Sequence, residues 1–141
     1  MRVLGVDVGS RRVGLAISDA TRTLARPLTT LHVSSAADAV ARVAETIAAL
    51  AAEDDGLSMV VVGMPAHLDG SASDTSMRVR AFITALAGRT AVPIATEDER
   101  LSSREAESRL AQRERDWRKR KAQLDAAAAA VILQDYLDRS R

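Results

Sequence analysis

Carboxylates placed in apolar surroundings are the residues of this sequence best suited to chemistry. Asp7 lies within an apolar run that contains Val3, Leu4, Val6 and Val8. A carboxylate in an otherwise buried strand costs free energy unless it is paired, hydrogen-bonded or bound to a cation. Because Asp beside Gly is common in turns, Asp7 could instead cap the turn that follows. The metal-binding interpretation therefore requires acidic partners elsewhere in the chain.

Three other acidic residues are candidates for those partners. Asp98 and Glu99 stand at the end of the last predicted strand, and Asp125 stands at the start of the last predicted helix. Helical spacing places Asp125 on the same face as Ile132, which must face the core, so Asp125 is expected to face inward. Alternatively, Asp125 is an N-cap or first-turn acid favoured by the helix dipole. Together these carboxylates suit a hard cation such as Mg²⁺, and two such ions about 4 Å apart can stabilise an in-line phosphoryl displacement.

Two segments could contact phosphate groups. The glycine- and arginine-containing turn at 9–14 resembles the phosphate-cradling turn of actin-like and sugar-kinase proteins. Such kinases need two lobes, however, and a tight hairpin turn explains these glycines equally well. The second segment, 109–121, concentrates basic residues around the only tryptophan, Trp117. It is either a solvated helix face or a surface that binds a phosphate backbone.

Length and composition narrow the possible classes of protein. The chain has 141 residues, of which 47% are hydrophobic and 28% charged, as expected for one globular domain over residues 1–141. The absence of cysteine excludes disulfides, thiolate metal sites and cysteine nucleophiles, and it suits a cytoplasmic protein. Met1 leads directly into the first strand and no apolar run is long enough for a bilayer, so we expect no signal peptide and no membrane segment. The net charge of +1 is too balanced to indicate a nucleic-acid partner by itself.

The elements that must position these residues follow from periodicity. Apolar runs at 3–8 and 13–17 with a Gly-containing turn between them predict a hairpin, and 23–33 predicts a third strand with Pro27 at an edge. Ser35 and Asp38 have the spacing of a capping box and open a predicted helix that ends near Ala52. The continuous apolar run Met59–Met64 is typical of a central strand covered on both faces.

In the second half of the chain, predicted helices and strands continue to alternate. It predicts a helix over 74–87 with Met77 among its apolar positions and Gly88 as its C-cap, then a short strand over 91–96. A further helix is predicted to begin near Ser102, and the last one to run over 123–137. Three strands, a helix, a strand, a helix, a strand and final helices make an α/β layout.

The sequence resembles the YqgF/RuvX family, whose members are relatives of Holliday-junction resolvases. The resemblance runs nearly end to end and depends on four segments: DVGSRRVG at 7–14, VGMP at 62–65 with DG at 69–70, DERLS at 98–102, and LDAAAAAVILQDYL at 124–137. It implies an RNase H-like (RuvC-like) fold, with a five-stranded mixed sheet flanked by helices and its first three strands antiparallel. The loop at 66–68 and Ala126 depart from the family pattern, but no acidic candidate is lost.

The resemblance also implies a site and an activity. Its acidic metal ligands are Asp7, Asp125 and one or both of Asp98 and Glu99; we favour Glu99, with Asp98 either sharing the site or pairing with Arg100. These ligands would hold Mg²⁺ or Mn²⁺, as two ions. The residues expected to position phosphates are Arg11, Arg12, Arg100, Arg118, Lys119, Arg120 and Lys121.

The activity implied by the family is that of a metal-dependent nuclease on structured nucleic acid. The expected substrate is the 5′ end of precursor small-subunit (16S) rRNA during ribosome biogenesis. Holliday-junction cleavage on branched DNA is the alternative reaction, and a non-catalytic nucleic-acid-binding module is the alternative class. Both a monomer and a homodimer fit these functions, because two-strand junction cleavage favours a symmetric dimer whereas trimming does not require one.

Overall fold

The protein is built on one five-stranded mixed sheet with strand order β3-β2-β1-β4-β5. The computed structural model describes residues 1–65, 74–98 and 117–140, and for 117–124 it describes the backbone alone. The strands are β1 (Arg2–Val8), β2 (Arg12–Ser18), β3 (Ala25–His32), β4 (Leu57–Met64) and β5 (Ile94–Asp98). The helices are α1 (Ala36–Ala52), α2 (Asp74–Ala87) and α3 (Trp117–Arg139).

The predicted hairpin and third strand are confirmed. Strand β1 pairs antiparallel with β2, and the turn between them is closed by a hydrogen bond of 2.9 Å from the Gly9 amide to the Arg12 carbonyl oxygen. Strand β3 pairs antiparallel with β2 at the edge of the sheet, and Pro27 follows a register shift there. An edge bulge tolerates proline because the residue does not have to donate to a neighbouring strand. On the other side, β4 is parallel to both β1 and β5.

Alternation along the strands divides the core into two clusters. Leu4 and Val6 of β1 pack in the cluster formed with α1 and α2, whereas Val3 packs in the cluster formed with α3. In β4, Val60 and Val62 belong to the first cluster and Val61 to the second. The prediction of a central strand covered on both faces is therefore confirmed for β4.

Helix α1 begins and ends close to the predicted residues. The Ser35 side chain accepts a hydrogen bond of 3.0 Å from the Asp38 amide, which is the first half of the predicted capping box. The Asp38 carboxylate accepts from the Ser34 amide instead of the Ser35 amide, at 2.9 Å. After the helix, Gly56 adopts a φ of 61°, a conformation that glycine reaches without steric cost.

Helix α2 has the predicted bounds but presents a different face to the core. Its buried residues are Ser76, Val79, Phe82 and Leu86. Met77, one of the apolar positions of the predicted helix, lies outside this face and is 60% exposed. Gly88 follows the helix as predicted, yet its φ is not positive, so the left-handed C-cap expected there is absent.

Two element boundaries differ from the sequence expectation and both bear on the acidic candidates. Strand β5 begins at Ile94, after Pro93, whose carbonyl oxygen accepts from the Val60 amide at 2.9 Å. The strand then continues to Asp98, so its acidic end is part of the sheet. Helix α3 begins at Trp117, well before the expected 123. Asp125 is therefore interior to a helix, and the interpretation of Asp125 as an N-cap is wrong.

The early start of α3 has a physical reason. Its first turns carry Arg118–Lys121, which are strong helix formers but provide no apolar periodicity. The helix predicted to begin near Ser102 lies outside the described residues. None of the described helices combines the length and the apolarity that a membrane span requires.

Candidate active site

Asp7 occupies the position in β1 that faces α3. Gly5 and Val3, two and four residues earlier, face the same side: Val3 packs in the α3 cluster, and a Cβ atom on Gly5 would lie 2.8 Å from the Leu133 Cβ atom. Asp7 is half-buried, and its partner across the hairpin is Gly14 of β2. The carboxylate thus comes from a strand whose other residues on that face are covered by the helix.

Gly14 brings α3 against the hairpin at Asp125. A Cβ atom on Gly14 would overlap the backbone carbonyl group of Asp125 and would lie 2.8 Å from the Ala126 nitrogen. Paired Cα atoms of antiparallel strands are only about 4.5–5.5 Å apart. Because Gly14 is paired with Asp7 and touches Asp125, these two acidic residues are neighbours on one face of the sheet.

The rotation of α3 is fixed by the residues that follow Asp125. Ala129 and Ile132 are completely buried, which confirms the prediction that this face of the helix is turned to the core. Farther along, the Gln134 side chain accepts from the Ala25 amide at 2.9 Å and donates to the Thr23 carbonyl oxygen at 3.0 Å. These contacts hold the helix in register with β3 and the turn before it, and so they help to fix the position of Asp125.

Arg12 forms an ion pair with Asp125. The distance from Arg12 Nε to Asp125 Oδ2 is 2.8 Å, and the two side chains are 30% and 23% exposed. A cleft of about 460 Å³ opens beside this pair, lined by Gly9, Ser10, Arg11, Arg12, His32 and Asp125. Arg11 is exposed on the hairpin turn at the same cleft, as a phosphate-contacting residue would have to be.

His32 was not considered in the sequence interpretation, although it lies on the cleft. It is the last residue of β3 and is paired with Arg12 in the sheet. Its backbone carbonyl oxygen accepts from the Arg42 guanidinium, so α1 helps to fix this edge of the cleft. The side chain is exposed. A lone histidine at a strand end carries no distinctive sequence signal.

The acidic end of β5 is divided between the two faces of the sheet. Asp98 is exposed and is paired with Met64, which packs in the α1 and α2 cluster, so Asp98 belongs to that face. Glu97 is 3% exposed and lies on the α3 face. Glu97 forms an ion pair with Arg139 in the last turn of α3. Its other oxygen, Oε2, is buried and has no hydrogen-bond partner among the described residues. Sequence reasoning passed over Glu97, although an acid within a strand was the signal that identified Asp7.

Several predicted ligand and phosphate-binding residues lie outside the part of the chain that the structure describes. Glu99 and Arg100 lie outside the described residues. Arg118–Lys121 are helical in backbone, and their side chains are outside the description. Among the side chains that the structure describes, no three metal-ligating groups come together. The structure therefore joins two of the predicted acidic ligands, Asp7 and Asp125, and adds Arg12 as their cationic neighbour.

Comparison with known proteins identifies the family. Residues 1–139 match the family model described as RuvX: Holliday junction resolvase. The chain belongs to the RuvX family. A similar RuvX-type protein from Anaeromyxobacter dehalogenans (strain 2CP-1 / ATCC BAA-258), named "Putative pre-16S rRNA nuclease", is 43% identical over 139 residues, which are 99% of this chain and 98% of that protein. A protein of the same name from Chloroflexus aggregans is 40% identical and is covered over 94% of its length.

The fold comparison agrees with the RuvX assignment. The structure of T. thermophilus RuvC in complex with Holliday junction substrate has a TM-score of 0.58 and 17% identity to this chain, and the match covers 99% of this chain and 95% of that one. A second structure of Thermus thermophilus RuvC has a TM-score of 0.55. The expected RNase H-like, RuvC-like α/β fold is confirmed.

The donor set at this RuvX site fits a divalent cation. Asp7 and Asp125 both offer carboxylate oxygens, the ligands preferred by hard cations such as Mg²⁺ and Mn²⁺. The Asp7 and Asp125 side chains are both partly buried. A negative charge that is removed from water requires a positive partner, and Arg12 supplies one to Asp125. The site is therefore acidic, half-buried and open to the cleft.

Proposed function

We propose that this RuvX-family protein is a divalent-metal-dependent nuclease that hydrolyses phosphodiester bonds in structured nucleic acid. The observation that carries the proposal is the contact of Asp125 with Gly14, the partner of Asp7. This contact makes the two acidic residues neighbours, and Asp125 lines a cleft that Arg11 and Arg12 also line. Carboxylates beside exposed guanidinium groups are the combination that a phosphate substrate and its metal ions require.

In this proposal Asp7, Asp125 and Glu99 hold the ions, Mg²⁺ or Mn²⁺. When bound, such ions supply Lewis acidity toward the attacking water and toward the leaving oxygen. The protein contributes a fixed position for its carboxylates, because β1 and β2 hold Asp7 and the Gly14 contact holds Asp125. Asp98 is not assigned a ligand role here, because strand alternation gives it the other face of the sheet.

Phosphate positioning falls to the basic residues around the cleft. Arg11 is exposed on the hairpin turn and can approach a substrate phosphate. Arg118–Lys121 belong to the helix that carries Asp125, and lie about one to two turns before it. Arg100 follows the ligand Glu99 directly in sequence. Such contacts position the nucleic acid without reading its bases.

The substrate we propose is the 5′ end of precursor 16S rRNA. The similar proteins of Anaeromyxobacter and Chloroflexus are named as pre-16S rRNA nucleases, and they match this chain over almost its full length. Trimming of a ribosomal precursor would take place in the cytoplasm. A monomer could carry it out, because trimming does not require a symmetric dimer. Four-way junction DNA is the second candidate, favoured by the family description and by the RuvC fold, and it would call for a dimer.

The test is cleavage by the purified protein in Mn²⁺. The substrates are a precursor-16S mimic, single-stranded RNA, duplex DNA and a four-way junction, each incubated with wild type and Asp7→Asn. We expect the precursor mimic to be cut by wild type and not by the variant. Preferential junction cleavage would favour the second candidate. Binding without any cleavage by the wild type would identify a non-catalytic nucleic-acid-binding module.

A further inference from the structure

We propose that Arg12 is a positioning residue that holds Asp125 in the metal-free protein and is displaced from it when the site is loaded. Displacement frees the guanidinium for a substrate phosphate, so that metal loading prepares the cleft for nucleic acid. The inference rests on the metal site of the proposed function and adds an order of events to it. It also gives Arg12 a role different from that of its neighbour Arg11.

The first observation is the geometry of the ion pair. Arg12 Nε lies 2.8 Å from Asp125 Oδ2, a close ion-pair contact that lacks the alignment of a hydrogen bond. Both backbones are fixed independently of the pair: the Arg12 carbonyl oxygen closes the hairpin turn, and Asp125 is held by Gly14. The side chains can therefore separate without moving the strand or the helix.

The second observation is where the pair lies. Arg12 is 30% exposed and lines the same cleft as Arg11, so its guanidinium can reach the cleft from its present position. Two cations cannot share one carboxylate at full strength, because a guanidinium and a divalent ion at contact distance repel each other. Loading of the site therefore favours rotation of Arg12 away from Asp125.

The alternative is that Arg12 only fastens α3 to the hairpin. In that case its removal would lower stability and would leave metal affinity unchanged or weaker. The two roles thus predict opposite changes in metal binding, and the measurement needs no nucleic acid and no catalysis.

The first experiment is a titration with Mn²⁺ alone, followed by electron paramagnetic resonance of the free ion. The proteins are wild type, Arg12→Gln and the matched control Arg11→Gln, which removes the same charge from the adjacent position. We expect Arg12→Gln to bind Mn²⁺ about tenfold more tightly than wild type, a coupling in the ordinary range for neighbouring sites. Arg11→Gln is expected to differ from wild type by about twofold or less, because its charge is screened by solvent. Equal or weaker binding by Arg12→Gln would overturn the proposal.

The second experiment measures binding of an RNA hairpin in EDTA, where metal-dependent cleavage cannot occur. Because Arg12 is engaged by Asp125 in this state, Arg12→Gln should keep the wild-type dependence of affinity on salt. In Arg11→Gln the slope of log K against log salt should decrease by about 0.7–0.9, the amount that corresponds to one neutralised phosphate. An equal decrease of slope in Arg12→Gln would show that Arg12 contacts the phosphates even in the metal-free protein, and this result would overturn the proposal.

The outcomes separate this inference from the proposed function. Mn²⁺ binding by wild type with no increase in Arg12→Gln would remove only the role of Arg12. Failure of both proteins to bind Mn²⁺ would overturn the metal site, and the role of Arg12 with it. The melting temperature of each variant in EDTA confirms that it is folded before titration.

Discussion

At the scale of single residues, the site depends on which carboxylates share a face of the sheet. The apolar surroundings of Asp7 identified it from sequence, and helical spacing gave the inward orientation of Asp125. Sequence could not show that Arg12 reaches Asp125, because that pair joins segments at opposite ends of the chain. Glu97 was missed for a related reason: β5 runs two residues beyond its expected end, which turns a loop acid into a buried strand residue.

Asp125→Asn tests the catalytic assignment without a capping effect. Asp125 lies inside α3, and Asn preserves its shape while removing the anionic oxygen that a cation requires. We expect the rate of Mn²⁺-dependent cleavage to fall by about 100-fold or more. Even mutation of a residue that only hydrogen-bonds to a metal ligand lowers metal affinity or activity by up to about 100-fold. The melting temperature should change little, because partly exposed ion pairs contribute about 1 kcal/mol or less. The measurements are single-turnover cleavage and thermal unfolding.

The matched control is Asp138→Asn on an exposed position of the same helix. Asp138 accepts a hydrogen bond of 3.0 Å from Gln134 and lies away from the cleft. Its activity should equal that of wild type. Wild-type cleavage by Asp125→Asn would exclude Asp125 from the ligand set.

The turn between β2 and β3 predicts a local dependence on pH. The Thr21 hydroxyl and the backbone amides of Leu24 and Thr23 donate to the Asp19 carboxylate and lower its pKa from 3.8 to about 2. A lowered pKa means that the ionised form stabilises the folded turn, fully above the unfolded value near pH 4 and progressively less as pH falls toward 2. We therefore expect amide exchange of Thr23 and Leu24 to accelerate between about pH 4 and 2, measured by NMR.

Asp19→Asn provides the comparison for this pH dependence. The amide side chain can still accept a hydrogen bond but does not ionise, so exchange at Thr23 and Leu24 should lose its acceleration in that interval beyond the intrinsic pH effect. An Asp19 carboxyl group that titrates near pH 4 would contradict the prediction.

At the scale of secondary structure, α3 is placed by small residues on the strands beneath it. Gly5 faces the Leu133 side chain and Gly14 faces the backbone at Asp125, so the helix approaches the sheet more closely than side chains would permit. Helix α1, which has a strong hydrophobic period, was predicted nearly to the residue, and β4, a continuous apolar run, was predicted to within two residues at its start. The ends of α3 and β5 depend on charged residues or on proline, and they were not predicted as closely. At these ends the local conformational propensity competes with tertiary packing, which the sequence alone does not show.

Gly14→Ala should separate α3 from the hairpin. The added methyl group would overlap the Asp125 carbonyl, and since both partners are backbone the helix must shift. We expect stability to fall by about 1–3 kcal/mol or more, together with weaker Mn²⁺ binding. Denaturant unfolding and Mn²⁺ titration measure the two effects.

Gly88→Ala is the control for the general effect of a glycine replacement. A Cβ atom at Gly88 would meet only the Ala85 carbonyl oxygen, at 3.5 Å, and its φ is not positive. Its stability should remain within about 1 kcal/mol of wild type or rise slightly. Equal stability of Gly14→Ala and wild type would mean that α3 does not press on the hairpin there.

At the scale of the whole molecule, charge is distributed unevenly despite a net value of +1. The basic first turns of α3 lead directly toward Asp125, and Arg11 and Arg12 lie across the cleft from it. Composition alone gave no indication of nucleic acid, whereas the position of Arg11 and Arg12 at one cleft supports it. The α/β class followed from element order, whereas the metal ligands, Asp7 and Asp125 included, remain a prediction.

Replacing Arg118, Lys119, Arg120 and Lys121 together by Gln tests that arrangement. Nucleic-acid affinity should fall, and the slope of log K against log salt should decrease by about 0.7–0.9 for each phosphate that the variant no longer neutralises. Mn²⁺ affinity should stay near the wild-type value. Fluorescence anisotropy over a series of salt concentrations provides the slopes.

A control with a comparable reduction of positive charge uses α2, on the opposite face of the sheet. Arg78 and Arg80 in α2 and Arg89 just after it are exposed, and their replacement by Gln should leave the salt slope nearly unchanged. A slope unaltered by the replacements in α3 would identify its first turns as a solvated helix surface.

The contribution of α3 to the site has a consequence for biosynthesis. Asp7 is synthesised well before α3, the helix that carries Asp125 and covers Val3, Ala16 and Val61. A nascent chain can pair its strands early, since domains begin to fold during synthesis, yet it has no complete site until α3 docks. Under the proposed function, a nascent chain would thus be inactive until α3 has been synthesised and has docked on the sheet. Truncated products of interrupted translation would lack the activity altogether.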